Sequence, residues 1–162
     1  MHVGIGYDIH ALKKGLPLIL GGVSIPFPKG LVGHSDADAL YHAICDAIFG
    51  AAGTGDIGDH FPDSDPRFKG APSAVFARKA RSVLKAKGFK ILFIDAIIVA
   101  EAPKLFDFKT KMKKNIAKDF GVSPACVGLK AKTNEGFGAV GRNEAILCQA
   151  AVTVGRATRA KR

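Results

Sequence analysis

Tryptophan is absent from this chain, cysteine occurs only three times in 162 residues, and no apolar run reaches the length of a membrane span. Each shortage excludes something. Cys45, Cys126 and Cys148 are odd in number, far apart and set among apolar neighbours. They read as buried thiols of a reducing compartment, neither a disulfide framework nor a zinc ribbon. The first residues have the pattern of a strand, not of a signal or transit peptide. With no leader, the expected location is a bacterial cytoplasm, or a plastid stroma once a leader has been removed. No linker, repeat, low-complexity tract or Walker-type loop occurs. Acidic residues are the scarcer charge, 14 against 24 Lys and Arg, which leaves a formal net charge of +10.

What is present fits one domain over residues 1–162, with apolar residues at 48% and 19 glycines for tight turns and close backbone approaches. The basic tail, about 156–162, is a candidate for disorder. Much of the positive charge lies in "KLFDFKTKMKKNIAKDF", with Lys104, Lys109, Lys111, Lys113, Lys114 and Lys118. Such a surface attracts nucleic acid or a phosphorylated small molecule, or it is simply the solvated face of a helix.

In "HVGIGYDIH", period-2 alternation puts Val3, Ile5, Tyr7 and Ile9 on one face of a strand and His2, Gly4, Gly6, Asp8 and His10 on the other. "LPLILGGVSIPF" reads as a hairpin turning at Gly21-Gly22. "SDADALYHAICDAIFGAAG" reads as a helix capped by Ser35, with Asp38, His42 and Asp46 forming a polar stripe. A long Gly/Pro/Asp loop follows, then an amphipathic helix closed by Gly88, the strand "KILFIDAIIVAEAP", the lysine-rich helix ending at Gly121, and the strands "CVGLKAKT" and "AILCQAAVTVGR". This succession predicts an α/β fold: an α+β two-layer sandwich, mostly one mixed sheet with helices on one face, ferredoxin-like in character.

Asp8, His10 and an inward His42 make a set of the kind that holds zinc through three protein ligands, with Asp46 one turn on as an acceptor for the second ring nitrogen of His42. A chance D-x-H beside a satisfied core histidine is the competing reading. His34 and Ser35 stand at the expected helix N-terminus, where backbone N–H groups favour an anion. An ordinary capping box of Ser35 and Asp38 accounts for the same residues.

"GYDIH", "LGGVSIP", "GLVGHSDADALYHAICDAIFGAAGTGDIGDHFPDSDPRFKG", "AEAPK" and the late "GRNEA" resemble the 2-C-methyl-D-erythritol 2,4-cyclodiphosphate synthase family nearly from end to end. The resemblance implies a phosphorus–oxygen lyase that cyclises 4-diphosphocytidyl-2-C-methyl-D-erythritol 2-phosphate with release of CMP, in non-mevalonate isoprenoid biosynthesis. It implies zinc on Asp8, His10 and His42, and a second divalent cation, magnesium or manganese, on Glu135. His34 and Thr133 would stabilise the transition state. Ser35 would hold phosphate, Asp56, Ile57 and Gly58 would line the substrate, and Phe61, Pro62, Asp63, Ser64 and Asp65 would meet the methylerythritol part. Ala100, Glu101, Ala102, Pro103, Lys104, Leu105 and Phe106 would form the cytidine pocket, and Arg142 would offer a cation to phosphate. The implied assembly is a homotrimer with sites between subunits, with neither nucleic acid nor membrane as partner.

The departures fall in one segment. Lys132 and Asn134 stand where the family has hydroxyl residues, Ala139 where it commonly has an aromatic, and Asn143 and Ala145 where it has glycines. Two other readings compete. A zinc-dependent hydrolase of a nucleotide-activated substrate needs a base to activate water, for which only Asp56 or Asp63 offers itself. A nucleic-acid binder predicts aromatics interleaved with the basic run, whereas Phe106, Phe108 and Phe120 have the spacing of a buried face.

Overall fold

A computed structural model describes residues 1–62 and 64–157. In chain order its elements are β1 (His2–Lys14), β2 (Leu18–Leu20), β3 (Val23–Ile25), β4 (Lys29–Leu31), α1 (Ala39–Ala52), α2 (Ile57–His60), α3 (Ala74–Ala86), β5 (Phe89–Val99), α4 (Lys109–Phe120), β6 (Val127–Lys132), α5 (Gly138–Gly141) and β7 (Ala145–Arg156). A five-stranded sheet in the order β4-β1-β7-β5-β6 is antiparallel throughout except for the β5–β6 pair, which α4 connects. β2 and β3 form a separate hairpin. Gly21 and Gly22 turn it with φ of 58° and 65°, as two left-handed residues in a tight hairpin require.

The two-layer sandwich with one mixed sheet is as expected. The likeness to a ferredoxin-like fold lies in that layering and not in the strand succession, because β5-α4-β6 is a parallel unit and β6 and β7 are not neighbours. The core lies between the sheet and the helices: Leu40, Ile44 and Ile48 of α1, Leu84 of α3, and Met112, Ile116 and Phe120 of α4 meet Ile94 and Ile98 of β5 and Ile146, Val152 and Val154 of β7. Cys45 and Cys148 are buried there as free thiols, while Cys126 is half-buried.

What seats the central helix is the absence of side chains on β1. A Cβ added at Gly4 would lie 1.8 Å from the Ala47 carbonyl oxygen, and one at Gly6 would lie 1.9 Å from that of Ala43. Backbone therefore rests on backbone, and α1 runs across the glycine face of β1 until Asp8 and His10 replace the glycines.

The helix starts later than its sequence suggests. Asp38, not Ser35, is the cap: its carboxylate accepts from the Tyr41 N–H at 3.2 Å and from Gly21 N–H and Gly22 N–H of the hairpin at 3.0 and 2.7 Å. Three backbone donors converge on this fully buried carboxylate, which a serine hydroxyl cannot satisfy. The expected capping box of Ser35 and Asp38 does not form, and Ser35 instead accepts from the Ala37 N–H.

Candidate metal centre and active site

Period-2 geometry aims Asp8 and His10 the same way, and α1 delivers His42 beside them. One ligating atom from each falls within 4.8 Å of the others. Asp8 Oδ2 lies 2.9 Å from His10 Nε2 and 3.1 Å from His42 Nδ1. The remaining ring nitrogens point away from the cluster. His10 Nδ1 donates to the Val32 carbonyl at 2.6 Å, which leaves Nε2 turned toward Asp8. Burial raises the Asp8 pKa, but the His10 and His42 rings against the carboxylate outweigh it and bring the carboxyl down to about 2, so it is ionised. The hydrogen bond to Asp8 is also the main reason the His10 pKa is raised.

The cluster forms the floor of a cavity of about 490 Å³ lined by His34, Ser35, Ile57, Gly58, Phe61 and Pro62, with Gly33, Phe68 and Phe76 completing it. Phe61 sits 4.5 Å from the Phe76 ring and edge-on to Phe68 at 5.1 Å, an aromatic wall. Phe68 and Phe76 escaped the sequence reading because one lies in a loop and the other has the spacing of an ordinary buried helix face. His34 and Ser35 reach the cavity from a turn and not from the helix terminus, where Asp38 already supplies the negative charge. That turn contains Ala37 at φ 55°, a left-handed alanine next to the site.

Asp46 does not do what its spacing suggests. Its Oδ1 accepts from the Ile57 N–H at 2.7 Å, and the second nitrogen of His42 faces Ser35 and Ser73 hydroxyls at 3.2 and 3.1 Å. A helix position one turn on from His42 reaches the loop stacked over α1 more readily than the far side of the ring.

Asp56 is exposed and forms a capping box with Asp59 at the start of α2, outside the cavity lining. Asp65 pairs with Arg67 at 2.6 Å, Ser64 is an exposed turn residue, and Asp63 lies outside the described residues.

The other expected residues gather elsewhere. Ala100, Glu101, Pro103, Lys104, Leu105, Phe106, Lys132 and Thr133 line a second cavity of about 240 Å³, where the Ala102–Pro103 bond is cis. The Thr133 hydroxyl donates to Glu135 at 2.7 Å, the Asn134 N–H donates to Glu101 at 3.2 Å, and exposed Arg142 pairs with Glu144 at 2.9 Å beside Ala139 of α5. Asn143 takes φ 57°, the left-handed turn glycine adopts freely and asparagine tolerates best among other residues. Ala145 is the buried first residue of β7. The two cavities share no residue. Register aligns Ile9, Leu147, Val99 and Lys132 across β1, β7, β5 and β6, so the clusters open at the same end of the sheet but stand three strand spacings apart, about 14 Å.

The sequence profile of the YgbB family matches residues 1–155. The chain belongs to the YgbB family. Among its relatives, the 2-C-methyl-D-erythritol 2,4-cyclodiphosphate synthase of Desulfosudis oleivorans is 56% identical over 146 residues, 90% of this chain and 87% of that one. The enzyme of the same name from Dechloromonas aromatica is 54% identical over 154 residues, 95% and 96% of the two chains. A solved 2C-methyl-D-erythritol-2,4-cyclodiphosphate synthase in its CDP-bound form superposes with a TM-score of 0.88 at 37% identity, covering 94% of this chain and 99% of that one. Membership of the YgbB family bears out the resemblance read from the motifs.

Proposed function

We propose that the protein cyclises 4-diphosphocytidyl-2-C-methyl-D-erythritol 2-phosphate to 2-C-methyl-D-erythritol 2,4-cyclodiphosphate, releasing CMP, as a step of non-mevalonate isoprenoid biosynthesis in the cytoplasm. The observation that carries this reading is the cluster of one carboxylate oxygen and two imidazole nitrogens on the floor of a cavity walled by Ile57, Gly58 and Phe61, in a chain of the YgbB family. Two imidazoles and a carboxylate within 4.8 Å of one another fit zinc, with the cavity open above them. Asp8, His10 and His42 would hold it, and Glu135 would hold a second divalent cation. A bound zinc supplies a Lewis acid that polarises a phosphoryl oxygen.

In the reaction a 2-phosphate oxygen forms a bond to the β-phosphorus while the bond from that phosphorus to the CMP oxygen breaks, and CMP leaves with the electron pair. The nucleophile is already part of the substrate, so the protein's task is in-line positioning and charge neutralisation. Ser35 and His34 face the phosphates from one side of the first cavity, and Phe61 and its aromatic neighbours hold the methylerythritol and exclude water. Residues 100–106 receive the cytidine, with Thr133, Lys132 and Arg142 on the nucleotide phosphates. Because the two cavities stand apart on one chain, the complete site requires a neighbouring copy, in a homotrimer. Val3, Ile5, Tyr7 and Ile9, all exposed on the outer sheet face, supply an apolar surface for that contact.

The basic surface needs no nucleic acid: α4 buries Met112, Ile116 and Phe120, and its lysines are the solvated side of an ordinary amphipathic helix. Among the described residues no helix is long and apolar enough to cross a membrane.

Phosphorus NMR of the protein with the cytidyl-activated 2-phosphate, zinc and magnesium tests the reading. A cyclic diphosphate with stoichiometric CMP is expected. CMP with an open-chain phosphate would make the protein a hydrolase, and no turnover in zinc-loaded protein would overturn the reading.

A further inference from the structure

Ser73 is one of two fully buried polar residues among the described residues, and its hydroxyl is spent unusually. It occupies the N-cap position of α3, where serine ordinarily bonds its own helix, yet it makes no capping bond. The hydroxyl donates instead to Asp36 Oδ1, and the Ser73 N–H donates to Asp36 Oδ2 at 2.9 Å. The same oxygen lies 3.1 Å from His42 Nε2.

A hydroxyl has one proton. With that proton committed to a carboxylate, Ser73 can only accept from the ring, so it holds the hydrogen on Nε2 and leaves Nδ1, 3.1 Å from Asp8, for a metal. Ser35, 3.2 Å from the same nitrogen, imposes no such choice, because its hydroxyl can donate or accept. We propose that Asp36 and Ser73 are positioning residues that act through His42, a carboxylate–serine–imidazole relay that fixes the ring's tautomer and orientation for metal binding. The relay complements the Val32 carbonyl, which does the same for His10. It also accounts for the tie between residues 34–38 and 70–73, where Asp36 N–H donates to the Ala71 carbonyl at 3.1 Å and Gly70 N–H to that of His34 at 2.9 Å.

The inference rests on the reading of Asp8, His10 and His42 as metal ligands, and its test separates the two. Two-bond proton–nitrogen spectra of the metal-free full chain at pH 8 read the tautomer of His42 directly. Hydrogen on Nε2 is expected in the parent protein, and hydrogen on Nδ1 there would overturn the proposal whatever the variants do. In Ser73→Ala the single tautomer should give way to a mixture, and zinc affinity, measured by competition with a chelating dye, should fall about 10–100-fold. Ser73→Thr, which keeps the oxygen, should recover most of that loss. Parent-like tautomer and zinc affinity in a folded Ser73→Ala protein would refute the relay. Failure of the parent chain to bind zinc would sink the ligand reading alone, while the tautomer spectrum would still decide whether Ser73 governs the ring.

Discussion

The two faces of β1 take alternate residues of one short stretch, His2 to His10, and behave in opposite ways. On one face Gly4 and Gly6 let α1 press its backbone against the strand, and Asp8 and His10 extend that line into the candidate metal centre. On the other face Val3, Ile5, Tyr7 and Ile9 stand 43–79% exposed. The usual rule, apolar residues in and polar ones out, is reversed. The inner face needs close approach more than it needs side chains, and the outer face leaves its apolar surface uncovered on the single chain.

The inner face should fail first and hardest. Gly6→Ala puts a methyl group 1.9 Å from the Ala43 carbonyl, and backbone on both sides leaves nothing soft to move. The expected cost exceeds about 4 kcal/mol, which lowers the melting temperature by roughly 10 °C or more in a thermal scan followed by circular dichroism. A Gly6→Ala protein that melts like the parent would mean that α1 does not sit on β1 as described.

Ile5→Glu, one residue away on the outer face, should leave each chain folded and break the proposed homotrimer. Ile5 is 79% exposed and lies beside Ala151 and Asp95 in register, so a new carboxylate costs the single chain little. Three of them brought together on a shared axis would repel one another and lose their water. Light scattering should move from three copies to one, and cyclase activity should go with it. An active trimeric Ile5→Glu protein would place the contact elsewhere.

The inner layer should also carry a pH dependence that the outer face lacks. Burial pushes the Asp38 carboxyl up to about 6, above the ordinary 3.8, against the opposing pull of the Gly22, Gly21 and Tyr41 N–H groups. A raised carboxyl binds its proton more tightly in the folded state. That stability is therefore fully present below pH 3.8 and is lost as pH rises through 6. The shift is worth up to about 3 kcal/mol. Asp38→Asn does not titrate, so in denaturant titrations the parent's advantage over the variant should shrink between pH 4 and pH 7. A constant gap would show that the carboxyl is not desolvated.

How far the sequence reveals this molecule follows from what each signal depends on. Alternation in β1 depends only on backbone geometry, so the pairing of Asp8 with His10 was legible, as were the Gly21-Gly22 turn and the stop of α4 at Gly121. Which face of β1 turns inward was not, since it depends on how closely another element approaches. The start of α1 was misread for a related reason: Ser35 and Asp38 are both capping residues, and the choice between them is made by two N–H groups of a hairpin remote in sequence. Ser73 carried no sequence signal beyond a place before a helix, and its hydroxyl faces Asp36 and His42. The second cavity was legible as motif but not as place, because its distance from the first follows from strand order.

Asp46 gives the smallest effect and the finest test of the inner face. Its spacing from His42 suggests a ligand-orienting acceptor, whereas its hydrogen bond goes to the Ile57 N–H and ties the start of α2 over the cavity. The two roles predict different kinetics. If Asp46 holds the loop, Asp46→Ala should free Ile57 and Gly58, lowering kcat/KM about 10-fold, near 1.4 kcal/mol, mainly through KM, with zinc affinity within about two-fold of the parent. If it orients His42, zinc affinity should fall about 10-fold or more and kcat should follow. The raised pKa of its carboxyl, caused chiefly by burial and opposed by the Ile57 N–H, adds a second readout. A folded-state pKa above the ordinary value means that the carboxyl protonates before an exposed aspartate does, which weakens it as an acceptor for the Ile57 N–H. KM should therefore rise on acidification in the parent protein, beginning at a higher pH than an exposed aspartate would set, and that component of the rise should be absent in Asp46→Ala. An unchanged KM profile in the variant would leave the loop held by something other than this carboxylate.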